Sequence, residues 1–391
     1  MVRPEFLRRC VEEVQGEALE LLEELVNCNS FRDNIDGLRR TGELIARKAA
    51  QHGMEFQRVP VGGDPEGPFH LYLELPGPGP FYALLGHFDT VHPPDSPFNR
   101  FQPRGERIYG PGIQDMKSGV VSALFSLAIL RRTLDSHPLP LRVVFNCDEE
   151  TGSPDSRSLI RDKLAGAAGA FVFEGRYDSQ DAIVTARKGI VMGSVRVEGK
   201  SAHAGEAPGE GVNAVVEMAR KIVRLDELND PDRGVAVTAG KIQGGVAANR
   251  VPDSCQAELD LRFPTPEAEE ELTRKAREIL DTVFVPGART HYRLETARPA
   301  FVPTPRSRRL RDLYFQAARQ WGRRTGEYAA GGGSDGNLTA AMGIPTLDGL
   351  GGSGGGPHTE DEYILRESLR ESMATFSLFM ATLLDETRRE A

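Results

Sequence analysis

The chain has 391 residues, more than one ordinary hydrophobic core supports, so two domains are the default expectation. Its 39% hydrophobic and 27% charged residues are those of a globular protein, and no unbroken apolar run approaches the about 20 residues that a membrane span needs. The formal net charge of −9, from 57 acidic and 48 basic residues with no basic run, argues against a nucleic-acid partner.

The N-terminus, MVRPEFLRRCVEEVQGEALELLEELV, carries acidic residues through its apolar positions. It reads as an amphipathic helix rather than a signal peptide with a clean apolar centre, which places the protein in the cytoplasm as an expectation. Cys10, Cys28, Cys147 and Cys255 are scattered without CxxC spacing, which argues against a disulfide framework and a thiolate zinc site and leaves core filling.

From about 69 to 175, strand-like runs alternate with helix-like ones: FHLYLEL, FYALLGH, the long helix 119–134, LRVVFNC (141–147) and AFVFEG (170–175). Such alternation predicts an α/β domain, a mainly parallel sheet sandwiched by helices, whose ligands gather at the carboxyl ends of the strands. The texture changes near 188. Strand, helix, two strands, helix and strand come next in order, predicting an inserted α+β domain over 188–298, with 1–187 and 299–391 forming one discontinuous catalytic domain. The tail returns to helix, a Gly-rich stretch and an amphipathic last helix.

The polar residues just past each strand-like run carry the chemistry. After FYALLG come His87 and Asp89, which at i and i+2 share a face; after LRVVFNC come Asp148, Glu149 and Glu150; after AFVF comes Glu174; and Asp115 stands just before the long helix. Each has a bland reading. His87 alone reads as a hydrogen-bonded structural histidine, the DEE triplet as a solvated turn or helix start, and Asp115 as a helix N-cap. Together, carboxylates crowded at one sheet edge would be pushed toward protonation unless a cation neutralised them. Imidazole and carboxylate without thiolate suit zinc, or else cobalt or manganese, and a bridging carboxylate would make a two-metal site. Two metals need a second histidine, which His358 in GGSGGGPHTEDEY supplies. Neither that Gly-rich stretch nor GGGSDGN (331–337) has P-loop or dinucleotide-fingerprint context; the glycines read as close backbone passage, or else as a flexible linker.

GHFDTV (86–91), YGPGIQDMKSG (109–119), DEETGS (148–153), FEG (173–175), SAHAG (201–205), Asn249-Arg250-Val251-Pro252, GGGSD (331–335) and PHTEDEY (357–363) stand in the order of the two-zinc metallopeptidases. The chain resembles that family, which includes bacterial glutamate carboxypeptidase, acetylornithine deacetylase, succinyl-diaminopimelate desuccinylase and the aminoacylases, and is most similar to glutamate carboxypeptidase. The resemblance implies one divalent ion held by His87, Asp115 and Glu174, and another by Asp115, Glu150 and His358. It implies Asp89 behind His87, Glu149 as general base, and the insert as a lid and dimerisation domain. His203 resembles the residue that reaches from one subunit's lid into the partner's active site to stabilise an oxyanion, which implies a homodimer; a plain turn histidine is the alternative. Asn249, Arg262 and Arg298 resemble positions that bind the substrate's free carboxylate, with strand-surface ion pairing as the alternative for the arginines. The implied substrate is a small peptide or N-acyl amino acid, cleaved next to a free carboxylate with release of glutamate or a similar residue. Met116 stands where those carboxypeptidases often carry a second Asp, and the DMKSG form also occurs among deacylases and desuccinylases, so N-acyl-amino-acid deacylation is the second expectation. A catalytically silent, dimeric metal-binding protein is the third, against which every position the chemistry needs is filled.

Overall fold

In a computed structural model, residues 4–134, 138–177, 179 and 181–390 are described. Two-residue periodicity builds the centre of the fold. In the strand Tyr82–His87, Leu84 turns into one core cluster and Leu85 into another; in Leu141–Asn146, Val143 and Phe145 face one side and Val144 the other. Both strands belong to a six-stranded sheet ordered Gln57–Pro60, Phe69–Leu75, Leu141–Asn146, Tyr82–His87, Gly169–Val172, Thr346–Leu347. Tyr82–His87 is parallel to both neighbours and Thr346–Leu347 is parallel to Gly169–Val172, while Phe69–Leu75 runs antiparallel to both of its own.

A sheet apolar on both faces needs a layer on each. On one side lie Pro4–Asn27, Ser118–Leu134, Pro305–Gln320 and Arg366–Glu390; on the other, Ser156–Leu164 and Asp335–Ala341. The expected N-terminal helix is Pro4–Asn27, burying Leu7, Val11, Val14, Leu21 and Leu25 at helical spacing. By length and apolar content the stretch Ile113–Leu134 could cross a membrane, yet 94% of its apolar window is buried inside the protein. Burying each Leu or Phe side chain contributes about 1.5–3 kcal/mol, which makes Leu124, Phe125, Leu127 and Leu130 the anchor of this layer.

A five-stranded sheet gathers loops from distant parts of the chain, in the order Gln102–Arg104, Arg107–Tyr109, Tyr363–Leu365, Ser353–Gly355, Arg176–Tyr177. Its strands adjoin the segments that carry Asp115, His358 and Glu174.

The chain divides into two compact units: one holds the chain up to Ala186 with Pro303–Ala329 and Ser334 onward, the other Arg187–Val302 with Ala330–Gly333. The return of residues 330–333 to the second unit was not expected from the sequence. Its cause lies in hydrogen bonds that local patterning cannot reveal: Ala330 O accepts from Lys188 N at 3.1 Å, Gly331 O from Arg262 Nη1 at 2.7 Å and Gly332 O from Arg187 Nη1 at 3.1 Å. The second unit is an antiparallel sheet ordered Ala236–Gly244, Ser254–Phe263, Gly189–Glu198, Arg289–Arg298, with the helices Ala214–Asp226 and Pro266–Asp281 sharing its core. Asn213 and Thr265 cap these helices by accepting from Val216 N and Ala268 N.

Candidate metal centre

His87 ends the strand Tyr82–His87 and is only 1% exposed. Its Nδ1 lies 3.2 Å from the Asp89 carbonyl and 3.3 Å from Asp89 Oδ1, which leaves Nε2 for Asp115 Oδ1 at 3.0 Å and Glu174 Oε1 at 3.7 Å. Asp89, also buried, accepts from Glu149 N at 3.3 Å and Glu150 N at 2.9 Å. One carboxylate thus sets the orientation of His87 and the position of the short helical turn Glu149–Thr151.

Asp115 precedes the helix Ser118–Leu134, and its side chain goes to the histidines instead of capping that helix. Oδ1 faces His87, whereas Oδ2 faces His358 Nε2 at 3.1 Å; His358 Nε2 is also 3.4 Å from Glu150 Oε2. Two groups of three possible ligands result, His87–Asp115–Glu174 and Asp115–Glu150–His358, the ligand atoms in each lying within 4.8 Å of one another. His358 holds this position with φ of 63°, a conformation that costs a non-glycine residue about 1–2 kcal/mol and that persists where surrounding contacts impose it. Of the DEE triplet, Asp148 takes the structural part: its Oδ2 accepts from Asp155 N and Ser156 N at the start of the helix Ser156–Leu164. The Gly-rich segment is packed, not a loose linker; a Cβ at Gly354 would stand 1.8 Å from Tyr363 O, and one at Gly351 would stand 2.4 Å from Phe173 O.

The electrostatics call for a cation. Burial raises the Glu174 carboxyl pKa well above its ordinary value, and the charge on Asp115 adds to this; burial likewise raises Glu150, against the pull of His358. Burial opposes charging of His87, but hydrogen bonds to Asp115 and Asp89 outweigh it and lift its pKa well above 6.5. Hydrogen bonds to Asp115 and Glu150 lift His358 to about 10. Asp115 is pushed up by burial and pulled down further by the two histidines, so it stays ionised. Among the described residues, Glu150 Oε1 is buried without a hydrogen-bond partner. An orphaned carboxylate oxygen among imidazoles and acids fits divalent metal ions, and the donor set of nitrogen and oxygen without sulfur suits zinc, cobalt or manganese.

Three supporting residues lie within the family-like segments but carry no local mark of their role. Glu362 is 1% exposed; its Oε1 accepts from Gln114 N at 2.8 Å and Asp115 N at 3.0 Å, its Oε2 from Gly112 N at 2.8 Å, and His92 Nε2 lies 2.9 Å from Oε2. It ties the Asp115 loop to the chain just past His358. Buried Lys117 donates to Leu25 O at 2.9 Å and Cys28 O at 3.1 Å, fastening that loop to the end of Pro4–Asn27; burial lowers its pKa to about 8. Asp335 accepts from Ser153 Oγ at 2.6 Å and from Asn146 Nδ2, bracing the turn that carries Glu149 and Glu150. A Glu or Lys outside a regular element reads as exposed, and its burial is not visible in sequence.

His203, Asn249, Arg262 and Arg298 belong to the second unit and the metal-ligating groups to the first. His203 Nδ1 accepts from Gly205 N at 3.2 Å and Glu206 N at 3.1 Å, which puts its proton on Nε2. Asn249 is exposed, Arg298 is 3% exposed, and Arg262 makes a two-pronged ion pair with Asp260 at 2.9 and 3.1 Å, the strand-surface pairing that was its alternative role.

Residues 83–382 match the peptidase family M20/M25/M40. The chain belongs to this family. It is therefore a metal-dependent hydrolase of the metallopeptidase and aminoacylase type, and among M20 proteins it is similar to carboxypeptidase G2 of Pseudomonas sp. (strain RS-16), with 28% identity over 366 residues, 93% of this chain and 88% of the relative. Succinyl-diaminopimelate desuccinylase of Thioalkalivibrio sulfidiphilus (strain HL-EbGR7) is 25% identical over 392 residues, 95% of this chain and 100% of its own. Among solved M20 structures, a dinuclear metal-binding peptidase of Bacillus subtilis shares the fold with a TM-score of 0.72 at 17% identity, covering 96% of this chain and 99% of that one.

Proposed function

We propose that this M20 enzyme hydrolyses an amide bond next to a free carboxylate, releasing a C-terminal glutamate or similar amino acid from a small peptide, with two zinc ions in the centre. The observation that carries the reading is Asp115 dividing its two oxygens between two three-donor groups. Divalent ions held there supply Lewis-acid polarisation of the scissile carbonyl and acidify the attacking water. Glu149, on the turn of Glu150 but outside both groups, takes the proton of that water and returns it to the leaving amine. Asp89 keeps His87 in the tautomer that aims Nε2 at the centre. His203, with Nε2–H free of the turn that fixes Nδ1, is in the form that donates to a developing oxyanion, and the SAHAG resemblance supports its doing so in a partner subunit's site within a homodimer. The second unit is then lid and dimerisation domain, and Asn249, Arg262 and Arg298 take the substrate's carboxylate.

Two observations favour N-acyl-amino-acid deacylation as the second reading. Met116 gives the segment after Asp115 its DMKSG form and is fully buried, and Arg262 is already engaged by Asp260. A panel of N-aminoacyl glutamates, N-acyl glutamates and unrelated N-acyl amino acids decides, each assayed as purified, after chelation and after zinc is restored. Activity that tracks the metal and is strongest on glutamyl peptides supports the carboxypeptidase. A flat response to the amino-acid side with strong dependence on the acyl group replaces it with the deacylase.

A further inference from the structure

Two residues past Glu174, the strand Arg176–Tyr177 carries a guanidinium that the metal centre does not use. Arg176 is 0% exposed, and its Nε, Nη1 and Nη2 are all buried without a hydrogen-bond partner among the described residues. Among the described residues its one ion-pair contact is Asp181 at 3.6 Å. That carboxylate is 42% exposed and is held more closely by Arg323 Nη2, at 2.5 Å. Arg323 also takes Glu371, through Nε at 3.2 Å, and lies 3.5 Å from Thr375 Oγ1. The Tyr314 hydroxyl is buried without a hydrogen-bond partner among the described residues and acts electrostatically on both arginines. Both carboxylates are thus claimed by Arg323 and partly screened by water, while Arg176 and Tyr314 are left as donors without an acceptor. Native interiors very rarely leave so many buried N–H groups unmade.

We propose that Arg176, Arg323 and Tyr314 enclose a binding site for a small monovalent anion of the chloride type. The groups left unmet here are donors, since Asp181 and Glu371 lie within direct contact of Arg323; a halide offers only acceptance, whereas a water molecule brings two further donors. A doubly charged oxyanion is more strongly hydrated and loses more on entering a site whose donors have no contact with solvent. The site also has a structural consequence. The Arg176 backbone donates to Gly352 O at 2.9 Å, lies opposite Ser353 on the strand that leads toward His358, and its carbonyl lies 3.5 Å from Nε2 of Gln114, the neighbour of Asp115. An occupied site braces the framework from which Glu174, Asp115 and His358 project.

Metal-loaded protein melted in sodium bromide and in sodium gluconate at matched ionic strength provides the test, together with anomalous diffraction from crystals grown in bromide. The melting midpoint is expected to rise by a few degrees between about 1 and about 100 mM bromide and to stay level in gluconate, with a bromide peak within hydrogen-bond reach of Arg176. Tyr314→Phe, which keeps the ring and removes one donor, is expected to shift the bromide response to severalfold higher concentration, and Arg176→Met to abolish it. Where Arg176→Met does not fold, Tyr314→Phe and the diffraction from the unaltered protein carry the decision. Equal midpoints in the two salts, a bromide response that Tyr314→Phe leaves unchanged, or an ordered water at Arg176 without anomalous signal would each overturn the proposal.

Discussion

His87 ends a central strand, 1% exposed, with both ring nitrogens engaged by carboxylate or carbonyl oxygens; His358 sits in a loop, with 55% of its side chain exposed and contacts to Asp115 and Glu150 through Nε2 alone. Glu174 lies with the first and Glu150 with the second. The buried half is built into the sheet and cannot rearrange without disturbing strand ends, whereas the open half depends on one loop residue held at positive φ. Pre-organisation and access are thus divided between two halves that share one carboxylate.

Removing the shared carboxylate is the severest way to break that division. Asp115→Asn is expected to disable both halves and lower kcat/KM by about four orders of magnitude or more, read with bound metal measured in parallel; two ions retained with near-normal turnover would end the bridging role. Glu149→Gln is expected to leave both halves intact, binding metal normally while turnover falls by about 10²–10⁴-fold. A parallel loss of metal would make Glu149 a ligand instead of a base. Asp89→Asn attacks the buried half through His87 and also loosens the turn that carries Glu150; an about 10–100-fold loss of metal affinity or activity is expected, and competition with a chromophoric chelator should locate the larger part of the loss in the tighter of two binding steps. Glu362→Gln loosens the bridging loop from below; an about 10-fold loss of activity is expected, with the fold retained by circular dichroism. The mildest intervention is graded chelation: the ion at Glu150 and His358 is expected to leave first, giving protein with one ion per chain before none. Simultaneous loss of both ions would show that exposure does not separate the halves.

The positions of His87, Asp89, Glu150 and Glu174 were legible because each comes just after an apolar strand-like run, and the carboxyl ends of neighbouring parallel strands fall on one edge. Asp115 and His358 were legible by their residue type and neighbours. The supports were not. Glu362 meets the Asp115 loop across 247 to 250 residues, and Asp335 meets Ser153 across 182, separations at which no periodicity links the partners. Arg176 had no mark at all, since a charged residue beside a strand reads as surface until its neighbours enclose it.

The sequence by itself determined the α/β alternation, the change of texture at the insert, and the residue types able to hold metal, because all of these are written in local apolar spacing and side-chain chemistry. Only the tertiary structure decided that Asp115 divides its oxygens between two histidines, that residues 330–333 return to the second unit, and that Arg176 lies buried without an acceptor. Those outcomes depend on which distant segments are brought within hydrogen-bond reach, and that is settled by the packing of the whole chain.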